Sequence, residues 1–71
     1  MSAKRVIING QEWSWPSDSV TTEDVREKGS ITPLRNLFHV HEGRQTLMRP
    51  GTRIRLDDGD MFSDAPVPVK G

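Results

Sequence analysis

Apolar residues alternate with polar ones in three stretches of the chain, Gln11–Trp15, Leu37–His41 and Thr52–Leu56, and the breaks between them carry turn residues. Arg5-Val6-Ile7-Ile8-Asn9 is rich in β-branched residues and is followed by Gly10. Asn-Gly favours a two-residue hairpin turn because both residues tolerate a positive φ. Gln11-Glu12-Trp13-Ser14-Trp15 then alternates cleanly. The pattern predicts a β-hairpin with Val6 and Ile8 facing the core from one strand, and Trp13 and Trp15 from the other. Pro16 ends the second strand by withholding an N–H, and Ser17-Asp18-Ser19 reads as a loop.

Thr21-Thr22-Glu23-Asp24 has the form of a helix start, with a hydroxyl cap, an acid three residues on and acids in the first turn. The helix predicted there runs through Val25 to Lys28 and stops at Gly29, read as a left-handed cap. Val20, Val25 and Ile31 supply its narrow apolar stripe, so packing on a sheet must hold it. After the Thr32-Pro33 turn, alternation resumes. It predicts a strand with Phe38 and Val40 on one side and His39 and His41 on the other. Glu42-Gly43 turns the chain, and Arg44–Met48 is a candidate edge strand. Pro50-Gly51 is a further turn. Thr52–Leu56 is expected as a strand with Ile54 and Leu56 inward. Asp57–Asp60 is a turn before a last short strand, Met61-Phe62-Ser63. The order predicted is β-β-α-β-β-β, an α+β layout with one helix across a mixed sheet.

With 71 residues, there is room for one domain and one small core. A cleft between two lobes is excluded, which lowers the expectation of an enzyme. Ten basic and ten acidic side chains give no net charge, unlike the basic excess of a general nucleic-acid binder. The absence of cysteine removes disulfides, thiolate metal sites and a cysteine nucleophile. No apolar run reaches the roughly 18 residues of a membrane span. These features together predict a soluble, cytoplasmic, monomeric protein. The domain is expected over residues 1–63. Residues 64–71, Asp64-Ala65-Pro66-Val67-Pro68-Val69-Lys70-Gly71, are expected to form an extended arm stiffened by two prolines.

The succession of Ile8-Asn9-Gly10, Trp13-Ser14-Trp15-Pro16, Val20-Thr21 with Val25-Arg26, Gly29-Ser30-Ile31-Thr32-Pro33, and Leu56-Asp57-Asp58-Gly59 with Phe62 resembles the ubiquitin-like β-grasp fold. Within that fold the chain is most similar to the bacterial multiubiquitin family. The likeness covers about residues 6 to 65. Many members string several such domains together, whereas this chain has one, which argues against a polymer precursor. Ubiquitin ends in two glycines, whereas here a single Gly71 follows Val69-Lys70.

The resemblance implies a protein modifier. An ATP-dependent activating enzyme would adenylate the Gly71 carboxylate and transfer the chain to a thiol. A conjugating enzyme would then join it to an amine or hydroxyl of a target protein, as in an isopeptide bond. A processing peptidase joins these partners if Gly71 is exposed by trimming. The chain itself is then a substrate with no cofactor and no catalytic residue.

The tail suits that chemistry. Its seven residues ahead of Gly71 span roughly 20 Å when extended. Pro66 and Pro68 limit the entropy lost in a partner's groove. Pro66, Val67, Pro68, Val69 and Lys70 form the recognition segment, with Lys70 suited to acids at a channel mouth. Gly71 has no Cβ to obstruct attack at its carbonyl.

The outward sheet face is expected to carry Ile7, Leu37, His39, Arg53 and Arg55, an apolar centre rimmed by arginine and suited to docking. At least one of Trp13 and Trp15 is expected in the core. A tryptophan left outside would be a binding hot spot. His39-x-His41 sets two imidazoles on one strand face, but two ligands without a third predict no metal site. Asp57–Asp60 lacks the length and terminal glutamate of a calcium loop. No serine has a base beside it in sequence. Two other readings share the fold: a non-conjugated interaction module, and a sulfur carrier, which the missing paired glycine disfavours.

Overall fold

The computed structural model describes residues 3–67. It is a small α+β domain with a mixed five-stranded sheet and one helix. The strands are β1 (Lys4–Ile8), β2 (Gln11–Trp15), β3 (Ser19–Thr21), β4 (Arg35–His41), β5 (Arg44–Leu47), β6 (Arg53–Arg55) and β7 (Asp60–Pro66). The helix, α1, spans Thr22–Gly29. The main sheet has the order β2-β1-β7-β4-β5, and β3 and β6 form a separate two-stranded ladder. The strand β3 lies in a stretch where the sequence predicted only loop and helix cap.

The hairpin forms as its pattern predicts. Asn9 and Gly10 take φ values of 50° and 82°, the double positive φ of a tight primed turn. Val6 pairs with Trp13 and Lys4 with Trp15. Val6, Ile8 and Trp15 are buried, and Trp13 packs against the core from its edge. The Nζ of Lys28 sits 5.0 Å from the Trp13 ring centroid, covering that edge with a cation over a π face.

The helix is fastened at both ends. Thr21 accepts a hydrogen bond from the Asp24 amide through its side chain, and the Asp24 carboxylate accepts one from the Thr21 amide. This reciprocal box satisfies two otherwise orphaned donors. At the other end the left-handed residue is Ser30 (φ 55°, ψ 42°) rather than Gly29. The Ile31 amide donates to the Arg26 carbonyl at 2.8 Å, and the Ser30 amide to the Glu27 carbonyl at 3.4 Å. That is the hydrogen-bond pattern of a Schellman cap. Gly29 has a different task, because it lets the helix approach Ile8 closely. Thr22, fully buried, donates its hydroxyl to the Arg49 carbonyl at 2.6 Å, fixing the 49–52 turn against the helix start.

β1 and β7 run parallel at the sheet centre, and β4 runs antiparallel to β7. Their register puts Val6, Ile8, Asp60, Phe62, Leu37 and His39 on the helix side. Ile7, Met61, Phe38 and Val40 lie on the outer side. Val6, Ile8, Leu37 and Phe62 thus join Val20, Val25, Ile31, Met48 and Leu56 in the core. Leu37 is fully buried, so its expected place on the outward face is wrong. The apolar residues of β4 lie on both sides, and the parity rests on the long-range pairing of Leu37 with Asp64.

The last strand is longer than predicted. It runs to Pro66, with Arg35 opposite Pro66, Asn36 opposite Ala65 and Leu37 opposite Asp64. Asp64-Ala65-Pro66 are therefore sheet residues, not the start of an arm. Arg35 Nε donates to Asp64 Oδ2 at 2.7 Å, and the Asp64 amide donates to Asn9 Oδ1 at 3.1 Å. The hairpin turn and β4 together hold the end of β7.

Candidate functional site

Three surfaces carry the chemistry. The first is the exit of the chain from the sheet. Pro66 is exposed as the last residue of β7, and Val67 beyond it is half exposed. Pro68, Val69, Lys70 and Gly71, the remainder of the expected recognition segment and its conjugation residue, lie outside the described residues.

The second is the outer sheet face. Ile7 lies beside Met61, and Met61 beside Val40, in one row across β1, β7 and β4. Phe38 lies beside Leu47 on the next strand pair. Met61 and Leu47 are exposed, and Ile7, Phe38 and Val40 half-buried. Glu12 and Gln45 close the first row at its two ends. The structure therefore assembles an apolar strip with polar ends, as expected around Ile7, but from different neighbours. Arg53 and Arg55 are exposed on β6 of the second sheet and do not rim this strip. Arg53 instead donates to Ser19 Oγ at 3.0 Å. His39 faces the opposite side. Of the five residues expected on this surface, Ile7 alone is found there.

The third is a polar cluster at the end of the main sheet where β4 finishes and β7 begins. His39 and His41 project from one face of β4, and Asp60 opens β7 beside them. His41 Nδ1 is 3.0 Å from Asp60 Oδ1, and His39 Nε2 is 3.3 Å from Asp60 Oδ2. The Asp60 side chain is only 2% exposed. Burial pushes its pKa up, but the Asp57 amide, donating to Oδ2 at 2.9 Å, and the two imidazoles outweigh it. The net result holds Asp60 below the usual carboxylate range. The Asp60 hydrogen bond, with the charges of Asp60, Glu42 and Asp57 around it, raises His41 against a smaller desolvation cost. His39 Nε2 is buried 3.3 Å from Asp60 Oδ2, an ion-pair approach, with no well-formed hydrogen bond among the described residues.

His39, His41 and Asp60 offer three donor atoms within 4.8 Å of one another. The sequence sets two histidines on one strand face with no third ligand beside them. Asp60 was hidden in a run of turn aspartates, and only the β4–β7 pairing brings it to them. An aspartate one residue before an apolar strand was the available signal, and it is weak.

Among the described residues, no helix is long and apolar enough to cross a membrane. No protein-family model, curated protein or solved structure matches the chain.

Proposed function

We propose that the chain is a ubiquitin-like β-grasp domain acting as a protein modifier, handled by partner enzymes through its C-terminal segment and joined to targets at Gly71. The observation that supports this most is the strand arrangement. A β-hairpin leads into a helix packed on the sheet, and the final strand returns to the centre, parallel to the first. That arrangement is compatible with a β-grasp layout, and its last strand ends at Pro66, next to the C-terminal segment. The reading requires a free carboxylate at Gly71, native or exposed by a peptidase.

The test is incubation of the purified chain with ATP and a ubiquitin-activating-type enzyme, followed by intact-mass analysis. A thioester or adduct at Gly71, abolished by its deletion, is the expected result. Activation unaffected by that deletion refutes the reading. A gain of sulfur in place of oxygen identifies a sulfur carrier instead.

The outer strip favours a second reading, a non-conjugated interaction module. Ile7, Met61, Val40, Phe38 and Leu47 form an apolar centre with polar ends, as docking faces do. In that case a stable complex forms without any adduct, and Met61→Glu dissolves it.

A further inference from the structure

The geometry points to a divalent transition-metal site of the zinc type, formed by His41 Nδ1, His39 Nε2 and an Asp60 carboxylate oxygen. Zinc bonds to imidazole nitrogen and carboxylate oxygen are about 2.0–2.2 Å long. Tetrahedral donors are then separated by about 3.3 Å. The two His–Asp60 separations, 3.0 Å from His41 to Oδ1 and 3.3 Å from His39 to Oδ2, are close to that spacing with one imidazole at each carboxylate oxygen, and one donor atom from each of the three residues lies within 4.8 Å of the others. The His41 side chain, 43% exposed, is the one with room to move toward the others. The buried Asp60 and half-buried His39 supply the more enclosed side of the site.

The surroundings fit a ligand set better than a bare ion pair. His39 Nε2 is a buried ring nitrogen that faces Asp60 Oδ2 at 3.3 Å without a well-formed hydrogen bond among the described residues, so its polar capacity is incompletely met. A metal ion at the triad would occupy it. Asp60 Oδ2 is oriented by the Asp57 amide. The other nitrogen of His41, Nε2, lies 3.8 Å from both Glu42 and Asp57 carboxylates. A metal-bound imidazole whose far nitrogen faces a carboxylate is the usual supporting arrangement for such a ligand. The Glu42 and Asp57 carboxylates beside the triad and that of Asp60 within it favour a cation, and Arg44, opposite His41 on β5, is the one cation on the facing strand. Two imidazoles select borderline metals over calcium and magnesium, which prefer all-oxygen shells. With three protein ligands, a water completes the tetrahedron. The ion would pin the end of β4 to the start of β7.

His39 and His41 are the only histidines in the chain, which has no cysteine. Imidazole-dependent uptake therefore reports on this cluster alone. The experiment is calorimetric titration of the tag-free full chain with zinc chloride near neutral pH, repeated with cobalt chloride while its visible spectrum is recorded. One zinc ion per chain, bound in the micromolar range, is expected, with cobalt bands of four-coordinate intensity and a raised melting temperature. His39→Gln and His41→Gln should each weaken uptake at least about tenfold. His41→Gln alters an exposed ring, and its fold is checked by circular dichroism. Zinc uptake with no saturation at one equivalent, or with the same affinity in folded His41→Gln, overturns the proposal. The outcome is independent of whether Gly71 is ever conjugated.

Discussion

A Cβ placed on Gly29 would stand 2.6 Å from Ile8 Cγ2, well inside contact distance. The helix and the first strand are packed as closely as a missing side chain permits, and the strand atom is a branch methyl of a residue 2% exposed. Gly29→Ala gains up to about 1 kcal/mol of helix propensity. It also forces a core displacement costing about 1–3 kcal/mol. Net destabilisation is expected, read as a lower urea midpoint. Ile8→Leu in the Gly29→Ala background removes the clashing branch and should recover part of the loss. If the single substitution raises the midpoint, the close approach is not a constraint.

Ser30 takes a left-handed conformation that costs a residue with a Cβ about 1 kcal/mol. Ser30→Gly relieves it without touching the cap hydrogen bonds, which are all backbone. A stabilisation of about 0.5–1 kcal/mol is expected. A melting temperature unchanged or lowered would count against this account of the cap.

Thr22 is fully buried, and its hydroxyl serves the Arg49 carbonyl. Thr22→Val keeps the shape but removes this bond, leaving the Arg49 carbonyl only the Thr52 amide as donor, at a cost of about 1 kcal/mol. Thr22→Ser retains the donor and should lose less. Equal losses in the two variants would show that packing, not the hydrogen bond, is what matters at this position.

The His41–Asp60 contact makes stability depend on pH in metal-free protein kept in chelator. His41 has a pKa raised above its ordinary 6.5, so its contribution is complete below 6.5. It is lost as pH rises through the elevated folded value. Asp60 has a pKa lowered below its ordinary 3.8, so its contribution is complete above 3.8. It is lost as pH falls through the depressed folded value. The pair therefore contributes most between 3.8 and 6.5. The groups facing His41 are Asp60, Asp57, Glu42, His39 and Arg44. Chemical denaturation across pH should show stability declining on the alkaline side in the native chain. The same decline in His41→Gln would assign it to another group.

Local rules made the hairpin and the helix legible. Asn9-Gly10 states its turn and Thr21…Asp24 states its cap, and each needs only near neighbours. What escaped was set at long range. Leu37, Phe38 and Val40 put apolar side chains on both faces of β4, so alternation alone left its parity open, and pairing with β7 decided it. The three residues of β3 are too few to show a period, and they form a ladder only because β6 lies beside them. Asp60 looks like one more turn aspartate until the same pairing buries it beside His39 and His41. Gly29 and Ser30 divide between them two tasks, close packing and reversal of the chain, that the sequence appeared to give to the glycine alone.

The capture of Asp64-Ala65-Pro66 by the sheet shortens any leash available to Gly71. Residues 67–71 separate the sheet from Gly71, and a fully stretched segment of that size measures about 17 Å. On the proposed modifier reading, an enzyme seizing the Gly71 carboxylate would press against the shoulder of the globule near Arg35 and Asn9, and would inspect the body and the tip in a single embrace.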